Sequence, residues 1–204
     1  LYILVLTLSY LFRCGVPTGM CVNLVLPNGE RTMYTTRGAN NFLAAKDISE
    51  DVLCSCRMVY ISGFSIENDR SAKEIEIITR RAKLSGRQVA IGGGAFNIIK
   101  RRRRRLSKLI TRHADILILN QKEALSLTGM GELKPAIHYL KRIVGSFVVT
   151  MGRDGSMGFF QGSEIHAPAA PTPVVDTTGA GDVFTGTFLA GILKGKTPAE
   201  SMKL

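Results

Sequence analysis

The sequence lacks the patterns that would place it at once in several large classes of protein. Its 204 residues contain no Gly-x-x-x-x-Gly-Lys-Ser/Thr segment, so a P-loop nucleotide-binding protein is excluded as far as sequence can exclude it. No repeat or low-complexity segment is visible, which argues against a solenoid or a disordered chain. With 45% hydrophobic and 21% charged residues, the composition suits one globular domain over residues 1–204 with a sizeable core.

Cysteine and histidine are scarce, and they are not arranged to hold a metal ion. The four cysteines form no Cys-x-x-Cys pair, and the three histidines are scattered. Free thiols in a reducing compartment explain this usage best, and we therefore expect a cytoplasmic protein.

The longest apolar run is too short to cross a membrane. Residues 1–12 are almost wholly apolar, but a spanning helix takes about 20 such residues. The run also lacks the basic start and the clear cleavage site of a secretory signal. We interpret it as a core element at the cut edge of a longer protein, and we expect no membrane partner.

Positive charge is in excess, with a formal net charge of +11, and much of it lies in one run from Lys100 through Arg105. A nucleic-acid, membrane-surface or nuclear-import patch is one interpretation, and a solvated helix face is the other. We favour the second, because the run has no interleaved aromatic residues and no nucleic-acid-binding motif. A general attraction to polyanionic ligands follows from either.

Apolar runs alternate with amphipathic segments along most of the chain, and this alternation predicts an α/β fold with a mostly parallel sheet covered on both faces. Asn28-Gly29 lies between two strand-like segments and predicts a β-hairpin over residues 22–36. The other predicted strands are 58–61, 88–91, 115–119, 147–151, 156–160 and 164–166, and the predicted helices are 41–48, 71–84, 98–112, 122–127, 135–143 and 179–194.

Three polar clusters follow predicted strands. They are Asn120 with Glu123, Thr150 with Gly152, and the turn that starts at Asp176. Ligands of parallel sheets bind beyond the carboxyl ends of the strands, so we expect the three clusters to converge on one crevice.

The turn Asp176-Thr-Thr-Gly-Ala-Gly-Asp182 carries the most specific chemistry. Gly179 and Gly181 remove side chains where a helix begins, so an anion can approach the free N–H groups of its first turn. Asp182 is a poor phosphate ligand because like charges repel, but it suits a hydroxyl group that attacks the phosphate. Simple helix capping by Thr178 is the alternative, although it does not call for two glycines that each cost the helix about 1 kcal/mol.

The other two clusters each allow a structural and a functional interpretation. Asn120 could cap the helix that follows it, or its amide oxygen and the Glu123 carboxylate could bind Mg²⁺ directly or through water. The Thr150–Gly155 segment could be a plain hairpin turn, or a glycine-lined surface for a nucleotide.

Several of these motifs resemble those of the ribokinase-like (PfkB) carbohydrate kinase family. The string DTTGAGD followed by FTGTFLAG resembles the second signature of that family, and Asn120-x-x-Glu123 resembles its Asn-x-x-Glu motif. Thr150-x-Gly-x-x-Gly155 resembles its nucleotide turn, and residues 15–19 and 31–40 resemble the segments around its substrate lid. The similarity runs in the right order over about residues 14–204.

The resemblance implies a three-layer αβα fold with a hairpin lid remnant at residues 20–37. It implies an ATP-dependent phosphotransferase that acts on a hydroxymethyl group of a sugar or nucleoside, with Mg²⁺ as cofactor. The implied roles are Asp182 as base, the amides of Gly179, Ala180 and Gly181 as phosphoryl ligands, Asn120 and Glu123 for Mg²⁺ and phosphate, and Thr150, Gly152, Gly155, Asp176 and Thr177 for ATP. A homodimer is also compatible with the resemblance.

The sequence departs from the family pattern in ways that keep an alternative open. No Gly-Gly substrate motif precedes residue 14, the chain stops at Leu204, and Gly92–Gly94 stands where many sugar kinases place an aspartate. The alternative is a truncated, catalytically inactive kinase-like domain that binds nucleotide or a partner. A dinucleotide-binding fold is disfavoured, because Asn97 stands where the third glycine of that fingerprint belongs.

Overall fold

A computed structural model describes residues 15–25, 31–171 and 177–203, and these residues form two sheets. The smaller sheet pairs β1 (Met20–Val25) with β2 (Arg31–Thr36) in antiparallel fashion, as the Asn28-Gly29 signal predicts. The turn at residues 26–30 lies outside the described residues. The role of this hairpin as a lid stays a prediction.

The larger sheet has six strands whose spatial order follows the chain, β3-β4-β5-β6-β7-β8. Strands β3 to β6 are parallel, and β7 and β8 add an antiparallel hairpin at one edge. The strands are β3 (Met58–Ser62), β4 (Gln88–Gly92), β5 (Ile116–Asn120), β6 (Phe147–Thr150), β7 (Ser156–Phe160) and β8 (Ser163–Ala167).

Seven α-helices occur in the described residues, and most begin or end within two residues of the predicted bounds. They are α1 (Glu50–Ser55), α2 (Asp69–Leu84), α3 (Phe96–His113), α4 (Gln121–Thr128), α5 (Leu133–Ile143), α6 (Ala180–Leu193) and α7 (Pro198–Ser201). The short helices α1 and α7 were not predicted.

The helix expected over residues 41–48 is wrong. Two 3-10 helices, Gly38–Phe42 and Ala45–Asp47, occupy this stretch. They are separated by Ala44, whose backbone is extended and whose N–H donates to the Asp47 carboxylate (2.8 Å). A local side-chain acceptor therefore replaces the helical hydrogen bond that the periodicity predicted.

Helices α2 to α5 all cover one face of the large sheet. Parallel strands that are neighbours in sequence and in space are joined by right-handed crossovers, and crossovers that advance in one direction place their helices on one side. Ile78, Ile99 and Leu106 from these helices pack with Leu117 and Leu119 in one buried cluster. Each such side chain contributes about 1.5–3 kcal/mol on burial.

Helices α6 and α7 cover the opposite face and complete the three layers that the sequence predicted. Phe188 of α6 packs with Phe160, Ala90 and Val148 in a second buried cluster. The Arg57 guanidinium donates to the Leu193 carbonyl oxygen (2.6 Å) and fixes the far end of α6 against the start of β3. Strand β5 is buried on both faces, as its continuous apolar run indicates.

No helix in the described part of the chain combines the length and apolar character needed to cross a membrane.

Candidate active site

The carboxyl ends of the parallel strands lie side by side at one edge of the large sheet. Ser62 at the end of β3 pairs with Gly92 of β4, and Asn120 at the end of β5 pairs with Thr150 of β6. Two of the three polar clusters thus occupy neighbouring strand ends, as predicted.

Glycine backbone forms the floor of this edge between β3 and β4. A Cβ atom on Gly63 would collide with the carbonyl oxygen of Gly93, and one on Gly93 would collide with the Glu123 carboxylate. Gly94 has φ +89 and packs its backbone against Phe64. The glycine run that departs from the sugar-kinase pattern is therefore required by close packing, and an aspartate at Gly93 does not fit this backbone.

Asn120 and Glu123 form a reciprocal cap on α4. The Glu123 N–H donates to Asn120 Oδ1 (2.9 Å), and the Asn120 N–H donates to Glu123 Oε2 (2.9 Å). Glu123 is only 7% exposed, and burial raises the pKa of its carboxyl, while the hydrogen bond from the Asn120 amide acts in the opposite direction. The capping interpretation of Asn120 is thus realised in the structure.

The donor set at this cap suits a weakly held, hydrated Mg²⁺ rather than a closed metal cage. Among the described residues, no three His, Cys, Asp or Glu side chains are grouped to hold a metal ion. Mg²⁺ commonly takes one or two carboxylates and completes its shell with water and substrate phosphates. Glu123, with Asn120 beside it, fits that pattern as a single anionic anchor.

The Thr150–Gly155 turn joins β6 to β7 in a tight hairpin. Gly152 and Gly155 have φ +62 and +81, conformations that a residue with a side chain rarely adopts. A Cβ on Gly152 would meet nothing within 4 Å, whereas one on Gly155 would collide with the Ala167 carbonyl oxygen. Gly152 therefore presents bare backbone to solvent, and Gly155 is required by packing.

The turn before α6 leaves the helix without a side-chain cap. Gly179 is the N-cap residue, with φ +78, so the capping role considered for Thr178 is not what the structure shows. Among the described residues, no atom lies within 4 Å of the position that a Cβ would take on Gly179 or Gly181. Thr177 is exposed at the edge of this turn, and Asp176 lies outside the described residues.

The amides of this turn are not all equivalent. The Ala180 N–H donates to the Thr177 carbonyl oxygen (3.2 Å), so this amide is engaged in the turn itself. The amides of Gly181 and Asp182 come next and have no acceptor within the helix. Together with the positive end of the α6 dipole, they form the part of the turn that can receive an anion.

Asp182 and Glu123 both influence Tyr60 electrostatically. Asp182 is exposed in the first turn of α6. Burial raises the pKa of the Tyr60 hydroxyl, and the charges of Asp182 and then Glu123 raise it further. Both carboxylates therefore lie within electrostatic range of one phenol. The convergence of the three polar clusters on one crevice stays a prediction.

Sequence reasoning did not select Tyr60. It lies on β3 between Met58 and Ser62, on the sheet face that α6 covers, and it remains 43% exposed. Its hydroxyl lies so close to Gly92 that a side chain there would collide with it. The two-residue alternation of β3 indicates on which face of the sheet Tyr60 lies. That α6 covers this face depends on the order of the strands, which the local sequence does not indicate.

The free-thiol expectation holds for the three cysteines that the structure describes. Cys21, Cys54 and Cys56 form no disulfide. Cys14 lies outside the described residues.

The three-layer fold and the glycine turn at its strand-end edge have the architecture of ribokinase-like kinases. Residues 10–204 match the pfkB family of carbohydrate kinases, and the chain belongs to this family. The resemblance found in the motifs is thereby confirmed, and the kinases of this family are enzymes.

Known kinases of sugars and nucleosides are similar to this chain. The cytidine kinase of Thermococcus kodakarensis is 36% identical over 107 residues, which cover 50% of this chain and 38% of that protein. The crystal structure of adenosine kinase from Sinorhizobium meliloti has a TM-score of 0.87 at 30% identity, covering 93% of this chain and 59% of that one. The structure of Arabidopsis thaliana ribokinase complexed with ribose and ATP has a TM-score of 0.73 at 26% identity, covering 92% and 60%.

The chain spans between 38% and 60% of the length of the curated relatives that it matches.

Proposed function

We propose that this chain is an ATP-dependent kinase that phosphorylates a hydroxymethyl group of a sugar or nucleoside in the cytoplasm. One observation carries the proposal. The start of α6 has no side-chain cap among the described residues, and it carries an exposed carboxylate, Asp182, whose charge acts on Tyr60 together with that of Glu123. Arabidopsis ribokinase, solved with ribose and ATP, supports the same pair of ligands by its similarity.

The proposed reaction is a phosphoryl transfer with Asp182 as the base. The acceptor hydroxyl oxygen forms a bond to the γ-phosphorus of ATP, the bond to the bridging β–γ oxygen breaks, and ADP leaves. The acceptor proton passes to the Asp182 carboxylate. The transition state is loose, so positioning and charge stabilisation matter more than the strength of this base.

The remaining residues bind and orient the nucleotide. The amides of Gly181 and Asp182 would receive phosphoryl oxygens, next to Gly179 and Ala180 in the turn. Mg²⁺, when bound, neutralises phosphate charge, and Asn120 and Glu123 would hold it. Thr150, Gly152 and Gly155, with Asp176 and Thr177, would line the ATP site.

Replacement of the proposed base tests this function. Asp182→Asn should lower turnover by about 10²–10⁴-fold, the range for general-base catalysis, while nucleotide affinity stays near that of the wild type. Asp51→Asn is the matched control, because Asp51 is also an exposed aspartate in the first turn of a helix. Turnover would be measured by ADP release with ribose, fructose and adenosine as acceptors.

The result separates the kinase from the inactive alternative. Unchanged turnover in Asp182→Asn would contradict its role as base. A wild-type chain that binds ATP but transfers phosphate to none of the acceptors would instead support the inactive nucleotide-binding domain.

The exposed face of the small sheet supports a homodimer as part of the proposal. Met20, Val22, Leu24 and Tyr34 lie on one face of β1 and β2, and each is more than half exposed. Such a face gains free energy when a second copy covers it. Light scattering should show a dimer for the wild type and a monomer for Val22→Asp.

A further inference from the structure

A basic groove lies in the helical layer opposite α6. Its walls come from α2, α3, α4 and α5, and its volume is about 940 Å³. The buried side chains beneath it, Leu109 and Leu127, belong to the core cluster of that layer, whereas Phe188 of α6 belongs to the other cluster. The groove is therefore separated from the α6 turn by the sheet.

The charges in this groove are not balanced. Arg105 and Arg112 pair with Asp69 (2.6 Å) and Glu76 (2.8 Å). Arg103, Arg104 and Lys108 also line the groove, but none has a carboxylate within ion-pair distance among residues 15–25, 31–171 and 177–203. Three neighbouring cations thus lack a counter-charge.

Repulsion between unpaired cations lowers the stability of α3. Arg104 and Lys108 are separated by one helical turn, and like charges at this spacing destabilise a helix. Arg101, Arg102 and Arg105 of the same helix do approach acidic partners on α2 and the segment before it. Arg103, Arg104 and Lys108 therefore differ from those cations of α3 that have acidic partners, including Arg105 and Arg112 of the groove.

The shape of the groove holds one of these cations in place. The Arg103 guanidinium lies against Gly129, so closely that a Cβ there would collide with it. Gly129 is the left-handed C-cap of α4, where the helix end carries partial negative charge. Arg103 is thereby oriented at the rim before any ligand arrives.

We propose that this groove, defined by Arg103, Arg104 and Lys108, is a second anion site that binds a small, multiply phosphorylated molecule. Its volume lies within the range of about 300–1,000 Å³ for small-molecule sites. Three cations around a concave surface match an oligophosphate chain. A single aromatic side chain, Tyr139, lines the groove, and this does not provide the stacked platforms that single-stranded nucleic acids use.

Binding of inorganic tripolyphosphate, measured by titration calorimetry at low and at physiological salt, tests the proposal. The variant R103Q/R104Q/K108Q should bind it about tenfold more weakly or worse, since each lost contact is charge-assisted. The variant K73Q/R80Q/R142Q is the control. It removes the same charge from exposed positions outside the groove and should change the affinity by less than about twofold.

The outcomes are distinct from those of the kinase test, because no phosphate is transferred. If both triple variants lost the same affinity for tripolyphosphate, the net charge of the chain would account for binding. That result would overturn the proposed site. Displacement of tripolyphosphate by a short single-stranded oligonucleotide, with a steeper dependence on salt, would overturn it in favour of nucleic acid. If circular dichroism shows the triple variant to be unfolded, Arg104→Gln alone should still weaken binding by about threefold.

Discussion

Two helices begin at the same edge of the large sheet, and their first turns are built in opposite ways. In α4, Asn120 and Glu123 bond to each other's amides and close the helix end. In α6, the N-cap is Gly179, and among the described residues no side chain caps the helix. The N–H groups at the start of α4 bond to the helix's own residues, and those at the start of α6 are available to a ligand.

The difference between the two helix starts indicates that one serves stability and the other serves function. A closed cap contributes about 1 kcal/mol to folding and presents little to an anion. An open terminus gives up that contribution and keeps its donors and its dipole available. We therefore expect changes in α4 to act first on stability and changes in α6 to act first on phosphate transfer.

The largest effect should follow a change that disturbs the open turn. Gly179→Ala forces a residue with a Cβ into the left-handed region, at a cost of about 1–2 kcal/mol, and displaces the amides that we propose as phosphate ligands. Turnover should fall by about 10²-fold, the loss found when one oxyanion donor is removed. Steady-state kinetics with saturating ATP and acceptor measures this.

Gly195→Ala is the matched control for this prediction. Gly195 has φ +80 at the other end of α6, and it also has open space around it. Both variants should lose similar stability in urea, and only Gly179→Ala should lose turnover. Equal losses of turnover would mean that backbone strain in α6, and not the phosphate turn, accounts for the effect.

A smaller effect is expected when the closed cap is opened. Asn120→Ala removes the acceptor for the Glu123 N–H and should lower the free energy of unfolding by about 1 kcal/mol. Because Glu123 then loses its orientation, the affinity for Mg²⁺-bound ATP should fall by about threefold to tenfold, as measured by calorimetry.

Thr197→Ala breaks a capping box of the same type in α7 and provides the comparison. Thr197 Oγ1 accepts from the Glu200 N–H (3.2 Å), and Glu200 Oε2 accepts from the Thr197 N–H (2.8 Å). Its loss should lower stability without changing nucleotide affinity. If Asn120→Ala also left the affinity unchanged, the cap of α4 would have a structural role alone.

The smallest effect is a change in the dependence of stability on pH. Since burial raises the pKa of Glu123, the folded protein keeps this proton at pH values where the unfolded chain has lost it. This group therefore lowers the stability of the wild type as pH rises from the ordinary value of 4.5 through the raised pKa. Glu123→Gln removes that loss, so its stability relative to the wild type should rise over this window in urea unfolding.

Glu200 should give the opposite sign. Hydrogen bonds from the Thr197 hydroxyl and then from its amide lower the pKa of Glu200, so its contribution is present above the ordinary value and disappears as pH falls through the lowered pKa. Glu200→Gln should therefore be less stable than the wild type near neutral pH and equal to it in acid. If the stabilities of Glu123→Gln and Glu200→Gln, each relative to the wild type, changed with pH in the same direction, the assignment of Glu123 as a buried acid would be contradicted.

Local signals predicted the features that are local in the chain. The alternation of strands and helices, the Asn28-Gly29 hairpin and the start of α6 at Gly179 each depend on a few adjacent residues. The prediction of a helix over 41–48 was wrong for an equally local reason. The Asp47 carboxylate accepts the hydrogen bond of the Ala44 N–H.

Features that depend on strand order could not be predicted in this way. Nothing near Tyr60 in sequence indicates that it meets the charges of Asp182 and Glu123, since three different elements carry them. The need for glycine at position 93 likewise follows from the close approach of Gly63 across the sheet edge. The motifs indicated the candidate groups, and the tertiary structure added Tyr60 as a residue that both Asp182 and Glu123 influence.

The glycine contact at the ends of β3 and β4 limits which substitutions this edge of the sheet can accept. Where Gly63 meets Gly93, main chain packs against main chain, and neither position has room for a side chain. This contact is thus fixed by the packing of the sheet, and under the proposed function the choice of alcohol depends on the side chains around it. A redesign for another acceptor should begin at those side chains and leave this contact untouched.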